Sequence, residues 1–284
     1  MASPTPSAPP TILTYQHDSA LTTLETTITG IQPFPTLDPA NQQLFKQATP
    51  DDHVITTHST IFHPQGGGQP SDTGTITSPD GTTFTVTSVR KDALTSNQVL
   101  HLGHFSTPIS TPISTPISTP FPVPSTVTQS INAEQRLLHS KLHTAGHVLG
   151  SAVRHLLENE VPDFDELKAS HFPDSASCEF HGLIEGKWKA PIQGKVDELL
   201  KAAMPVQVEW WSADDFREKG LERLIPGEGV VLAPGEKFRV VNIVGAEVYP
   251  CGGTHVDRTD LCGKVGVKKI SRSKGTSKVS YGVE

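Results

Sequence analysis

AEQRLLHSKLHTAGHVLGSAVRHLLENE, residues 133–160, decides the fold. Leu138, Leu142, Leu149, Val153, Leu156 and Leu157 recur at helical spacing among charged residues and predict one helix of about 25 residues. Beyond it, LKASHF and SASCEFHG read as strands, VDELLKAAM as a helix, PVQVEWW as a strand and DDFREKGL as a short helix. KFRVVNIV, AEVYP, KVGVKKI and KVSYGV supply further strands, so residues 133–284 are expected to form an α+β domain with the long helix packed on an antiparallel sheet.

Before the helix the pattern is different. TTLETTITGI, HVITTHSTIF, TGTITS, TTFTVTSV and TVTQSI alternate Thr with Val, Ile and Phe between turn residues, the pattern of a small β-barrel or sandwich; we expect a β-barrel domain over residues 1–132. The tandem repeat STPISTPISTPISTPFPVP, residues 106–124, interrupts it. Recurring proline excludes helix and regular sheet pairing, so this stretch is expected to be an exposed, disordered loop with no chemical role.

The predicted helix carries His143 and His147, and residues four apart lie on one helix face, so both imidazoles can reach one ion. Such pairs also arise by chance, as surface or core histidines. Cys251-Gly-Gly-Thr-His255 adds a second pair. Thiolate is a strong zinc ligand, and Gly252-Gly253 lets the backbone turn tightly enough for Cys251 and His255 to converge where AEVYP runs into a Gly-rich turn. One cysteine with three histidines is not a zinc-finger set. Thr144 stands where a metalloprotease HExxH motif needs its general-base Glu, so that reading weakens as well.

At 284 residues and 35% hydrophobic the chain can bury a sizeable core. Three cysteines, Cys178, Cys251 and Cys262, make no disulfide framework and point to a reducing, cytoplasmic setting. MASPTPSAPPTILTYQHDSA shows neither the pattern of a signal peptide nor an apolar span, and no membrane association is expected. A net charge of −7 argues against coating nucleic acid by bulk electrostatics. Positive charge is concentrated near the C-terminus, where Lys264, Lys268, Lys269, Arg272, Lys274 and Lys278 leave RNA contact or a solvated strand face as alternatives.

FHPQGGGQPSDTG, Phe62 to Gly74, brings three successive glycines that permit close backbone approach to a ligand or simply a tight turn between strands. Taken with HTAGH, CGGTH and Arg136 upstream of the first histidine pair, this segment resembles the AlaX proteins, free-standing relatives of the editing domain of alanyl-tRNA synthetase. The resemblance spans nearly the whole chain in the family's order of motifs. It implies a trans-editing hydrolase that deacylates mischarged Ser-tRNA(Ala), with Gly-tRNA(Ala) as second candidate, in a chain that acts as a monomer or weak homodimer. It makes His143, His147, Cys251 and His255 the ligands of one Zn2+ per chain and the catalytic residues. Gly66, Gly67, Gly68 and Gln69 become part of the barrel that faces the editing cleft or the tRNA end. Ala169-Ser170 stands where the family often has Gly-Ser, and the STP repeat has no counterpart in the family pattern.

Ester hydrolysis needs a placed water, a stabilised oxyanion and a departing ribose hydroxyl. Four protein ligands would close a tetrahedral shell, so zinc either orients the α-amino group and the cleft or one ligand is loose enough for water to displace. Rejection of alanine requires a polar contact to the serine hydroxyl, with Ser170, His171 and Thr254 as the candidates; Thr254 can alternatively serve its own turn. His139 is expected to pack or contact RNA, and Lys274 to contact phosphate or lie in a solvated face. A zinc hydrolase for another ester and a catalytically inactive tRNA-binding module are the two other classes.

Overall fold

The computed structural model describes residues 9–95, 98–106, 121–227 and 235–284. Most of the STP repeat, 107–120, lies outside them. The chain divides into two compact units, Met1–Gly66 with Pro70–Arg136 and Gly67–Gln69 with Leu137–Glu284.

The first unit contains β1 (Ile12–Leu13), β2 (Thr23–Pro33), a short helix α1 (Pro39–Gln42), β3 (His53–Thr57), β4 (Ser59–Thr60), β5 (Gly74–Thr77), β6 (Thr83–Lys91), β7 (Val99–Phe105) and β8 (Ser125–Ile131). Six of these strands close a barrel in the order β2, β3, β7, β6, β5, β8, with every pairing antiparallel. Alternation sends Ile28, Ile55, Ile76, Phe84, Val86 and Val127 inward, and a register shift between Val86 and Ser88 keeps Val89 inside as well. A barrel this small is filled by its own side chains.

Strand β7 was not among the expected strands. Its sequence, VLHLGHF, has no clean alternation, because His101 is an interior residue. The ring is satisfied there: Nδ1 pairs with the Ile55 carbonyl and Nε2 with the Thr60 hydroxyl, both at 2.9 Å, and burial holds its pKa down at about 4. A buried ion pair sits at the end of the same unit. Arg136 Nε donates to Asp72 Oδ1 at 3.1 Å and Nη2 donates to Oδ2, while the guanidinium also serves the Ser19 and Ile61 carbonyls.

Helix α2 (Ala133–Leu157) has the expected extent. Asn132 caps it, its Oδ1 accepting the Gln135 N–H at 3.0 Å. After it come β9 (Asp165–Ser170), β10 (Ser177–His181), α3 (Lys189–Lys201), β11 (Val206–Trp211), α4 (Ala213–Glu218), β12 (Phe238–Ile243), β13 (Glu247–Pro250), β14 (Val265–Ser273) and β15 (Thr276–Val283). Strands β14, β15, β10 and β9 form one antiparallel sheet, and β11, β12 and β13 another. The apolar stripe of α2, including Leu142, Val148, Leu149 and Val153, shares a core with Phe180, Val267, Val279 and Tyr281 of the first sheet. That is the α+β arrangement expected, with the long helix on an antiparallel sheet. Among the described residues no helix is long and apolar enough to cross a membrane.

Candidate metal centre

The second unit brings His143, His147, Cys251 and His255 together, with their ligand atoms all within 4.8 Å of one another. Metal–ligand bonds of 2.0–2.3 Å imply tetrahedral edges of roughly 3.3–3.7 Å. Cys251 Sγ lies 3.3 Å from His143 Nε2 and 3.4 Å from His255 Nε2, within that range. His147 Nε2 is buried with no hydrogen-bond partner. A buried nitrogen lone pair without a donor is costly unless a cation meets it, so this donor set fits a zinc ion.

Neighbouring groups fix the tautomers. His143 Nδ1 donates to Gln69 Oε1 at 2.7 Å, and the same oxygen accepts the Thr254 N–H at 3.0 Å. Gln69 Nε2 in turn donates to Thr254 Oγ1 at 2.9 Å, so both ends of the carboxamide are engaged and its orientation is settled. His255 Nδ1 pairs at 3.2 Å with Thr144 Oγ1, which also accepts the Val256 N–H at 3.1 Å. Both rings therefore turn Nε2 toward the cluster. Gly253 completes the turn: a Cβ there would stand 2.2 Å from His143 Cε1 and 2.7 Å from Gln69 Oε1.

Burial holds the pKa of His147 down at about 3, with the neighbouring His171 ring and the Arg239 charge further disfavouring a second cation there, and burial alone holds His171 at about 4. Both rings are thus neutral, as metal ligands and acceptors must be. Burial pushes the Cys251 thiol up, opposed by the Gly253 N–H and by the Arg239 guanidinium. Arg239 also ties the turn to β12, its Nη1 donating to the Cys251 carbonyl at 2.5 Å. The cluster borders a cavity of about 310 Å³ whose other walls include Gly67, Gly146, Glu166, His171 and Tyr249. Arg154 holds Glu166 at 3.0 Å and Glu247 at 3.4 Å.

The other residues singled out by sequence fall in different places. Gly67 lines the cavity, and Gly67 and Gly68 both have positive φ, 55° and 78°. Gly66 ends the first unit's segment, whereas Gly67–Gln69 belong to the second unit and not to the barrel. Gln69 is fully buried, so its carboxamide supports His143 and is not presented to a tRNA. The Thr254 hydroxyl is tied to Gln69 and, at 2.8 Å, to Ser140 Oγ. Ser170 pairs with Ser177 across the sheet and does not line the cavity, whereas His171 does. Lys274 occupies the β14–β15 turn with φ 49°. Sequence reasoning missed Arg239, Glu166, Tyr249 and Tyr281. It noted Thr144 only as a departure from HExxH, although a hydroxyl one residue after a ligand histidine is the available signal.

If Gln69 orients His143, Gln69→Leu should weaken zinc binding about 10- to 100-fold, and Gln69→Glu, which keeps the acceptor, should weaken it less. Competition with a chromophoric chelator measures this. Equal affinity for the parent and the Leu variant would remove Gln69 from the metal site.

Residues 238–279, from β12 through the Cys-Gly-Gly-Thr-His turn into β15, match the family described as "Threonyl and Alanyl tRNA synthetase second additional domain". The alanine–tRNA ligase of Methanothermobacter thermautotrophicus is 30% identical over 258 residues, 87% of this chain and 26% of the ligase. That of Methanosphaera stadtmanae is 29% identical over 82% of this chain and 24% of the ligase. The alanyl-tRNA editing protein AlaX-L of Pyrococcus horikoshii is 27% identical over 81% of this chain and 50% of that protein. The chain thus spans about a quarter of the ligases and half of AlaX-L. The chain is thus similar over about four fifths of its length to alanine–tRNA ligases and to an alanyl-tRNA editing protein, and its residues 238–279 carry the matched domain.

Proposed function

We propose that this chain hydrolyses the ester of mischarged Ser-tRNA(Ala), with Gly-tRNA(Ala) as a second candidate substrate, at a zinc centre held by His143, His147, Cys251 and His255. The observation that carries this reading is the buried, partnerless Nε2 of His147 within a four-donor cluster on the wall of a cavity. The AlaX-L relative, named as an alanyl-tRNA editing protein, supports the choice of tRNA(Ala) as partner.

Lewis acidity is what a bound zinc ion supplies here, polarising a carbonyl oxygen or bringing the pKa of a water to about 7. The protein's part is to orient and to exclude. Gln69 and Thr144 hold two imidazoles in the ligand tautomer, and the Tyr249 ring covers His147 with centroids 4.2 Å apart. The Glu166 carboxylate on the cavity wall suits the α-ammonium of an aminoacyl group. Cys178, which also lines the cavity, donates to the Gly146 carbonyl, and burial pushes its thiol up, so it is not a competing thiolate nucleophile.

Deacylation of Ser-tRNA(Ala) beside Ala-tRNA(Ala), before and after chelation and with zinc restored, tests the proposal. Serine-selective loss that chelation abolishes and zinc restores is the expected result. Binding of tRNA without hydrolysis would favour the inactive RNA-binding module. Hydrolysis of simple esters with tRNA ignored would favour another zinc hydrolase.

A further inference from the structure

Two motifs noted in the sequence, the run of three glycines and the HTAGH of α2, meet at one side chain, His171. Its ring lies on His143 with centroids 4.1 Å and planes 24° apart. A Cβ on Gly146 would stand 2.4 Å from His171 Cε1 and 2.6 Å from Nδ1; one on Gly68 would stand 3.1 Å from Cδ2. Glycine at 146 therefore opens the slot that this imidazole fills, whereas at Gly68 the nearest atom to a Cβ would be the Ala169 carbonyl oxygen at 2.4 Å. At Gly146 the requirement outweighs the roughly 1 kcal/mol that glycine costs in a helix interior. The Gly68 carbonyl also accepts the His171 N–H at 2.8 Å.

The ring's tautomer follows from its partners. Tyr281 Oη donates to the Leu142 carbonyl at 2.9 Å, and His171 Nδ1 lies 2.7 Å from the same hydroxyl. When the tyrosine proton goes to Leu142, its oxygen accepts from Nδ1–H and Nε2 then carries the lone pair. Among the described residues the ring's one hydrogen bond runs through Nδ1, and the ring lines the cavity beside the metal cluster. The result is an imidazole on the cavity wall whose Nε2 is free to accept from a bound group.

We propose that His171 Nε2 accepts the side-chain hydroxyl of the seryl group, with Tyr281 as the positioning residue that fixes the tautomer, so that the site selects seryl over both alanyl and glycyl esters. This rests on the reading of the centre as an aminoacyl-ester hydrolase. A hydroxyl is favoured over the α-ammonium because His171 is stacked on a ligand of a cationic metal, where a second cation is repelled, while the carboxylate of Glu166 offers the ammonium an anionic partner on the same cavity. Alanyl and glycyl groups offer that nitrogen no donor, and a site built to hydrogen-bond a substrate hydroxyl discriminates against analogues that lack it.

The test compares kcat/KM for Ser-, Ala- and Gly-tRNA(Ala) in the parent, His171→Leu, His171→Gln and Tyr281→Phe, with zinc content and melting temperature recorded for each. His171→Leu should lower the seryl value about 10- to 100-fold and leave the other two within about threefold. His171→Gln, which keeps an acceptor, should recover part of the loss. Tyr281→Phe should reduce the seryl value in the same selective way, and long-range proton–nitrogen correlations should show His171 losing its fixed Nδ1–H form. Equal losses on all three esters, or none, overturn the assignment while the hydrolase reading stands. A parent chain inactive on all three overturns both. Should the Leu variant fail to fold, the Tyr281→Phe selectivity and spectrum decide alone.

Discussion

Cys251→Ala is expected to lose zinc at stoichiometric concentration and to lower kcat/KM for Ser-tRNA(Ala) by about a thousandfold, the loss of several kcal/mol of transition-state charge stabilisation. Cys251 is the one anionic donor in the set; the other three are imidazoles. Its Sγ is also the atom placed 3.3 and 3.4 Å from two ligand nitrogens, so it anchors the cluster geometrically. Without it, three neutral rings face a dication with no compensating charge, and the Gly253 N–H that reaches Sγ at 3.4 Å loses its acceptor. Metal analysis alongside single-turnover deacylation reads both effects. Full activity in a metal-free variant would sink every role for zinc in this chain, catalytic or organising.

Much of that centre was legible because its signals are local. His143 and His147 sit four apart in a helix whose apolar period is unmistakable, and Cys251 and His255 flank a Gly-Gly turn whose backbone demand is written in the residues themselves. What surrounds the ligands was not legible. Gln69 lies 74 positions from His143 and Tyr281 lies 110 from His171, and a carboxamide or a hydroxyl carries no periodicity that would announce such a partner. The same limit explains the serine-hydroxyl candidates: Thr254 reads as available in sequence, yet its oxygen is engaged by Gln69 and Ser140. In the barrel the alternation of Thr with Val, Ile and Phe announced most strands. It failed at β7, where a buried histidine and Gly103 replace apolar residues. Gly103 is needed because a Cβ would come 1.8 Å from the Thr85 carbonyl oxygen of the neighbouring strand.

Asp72→Ala should cost about 3–5 kcal/mol of stability, because it strands a buried guanidinium. Arg136 is 4% exposed and Asp72 fully buried. The carboxylate accepts from Nε and Nη2 of Arg136 and also takes the His63 N–H at 2.6 Å, so its removal unpairs a charge and a backbone donor together. Arg136 keeps the Ser19 and Ile61 carbonyls, which satisfy hydrogens but cannot neutralise the charge. For a chain of this size the loss corresponds to a fall in melting temperature on the order of 10 °C. The energetic argument is asymmetric and can be checked as such. Replacing both partners by apolar residues, as in Arg136→Met with Asp72→Leu, removes the buried charge altogether and should recover much of the loss, leaving chiefly the unpaired His63 N–H. Thermal melts of the single and double variants separate the two terms. A single variant melting within about 2 °C of the parent would mean that water reaches the guanidinium and that the pair contributes little to the barrel.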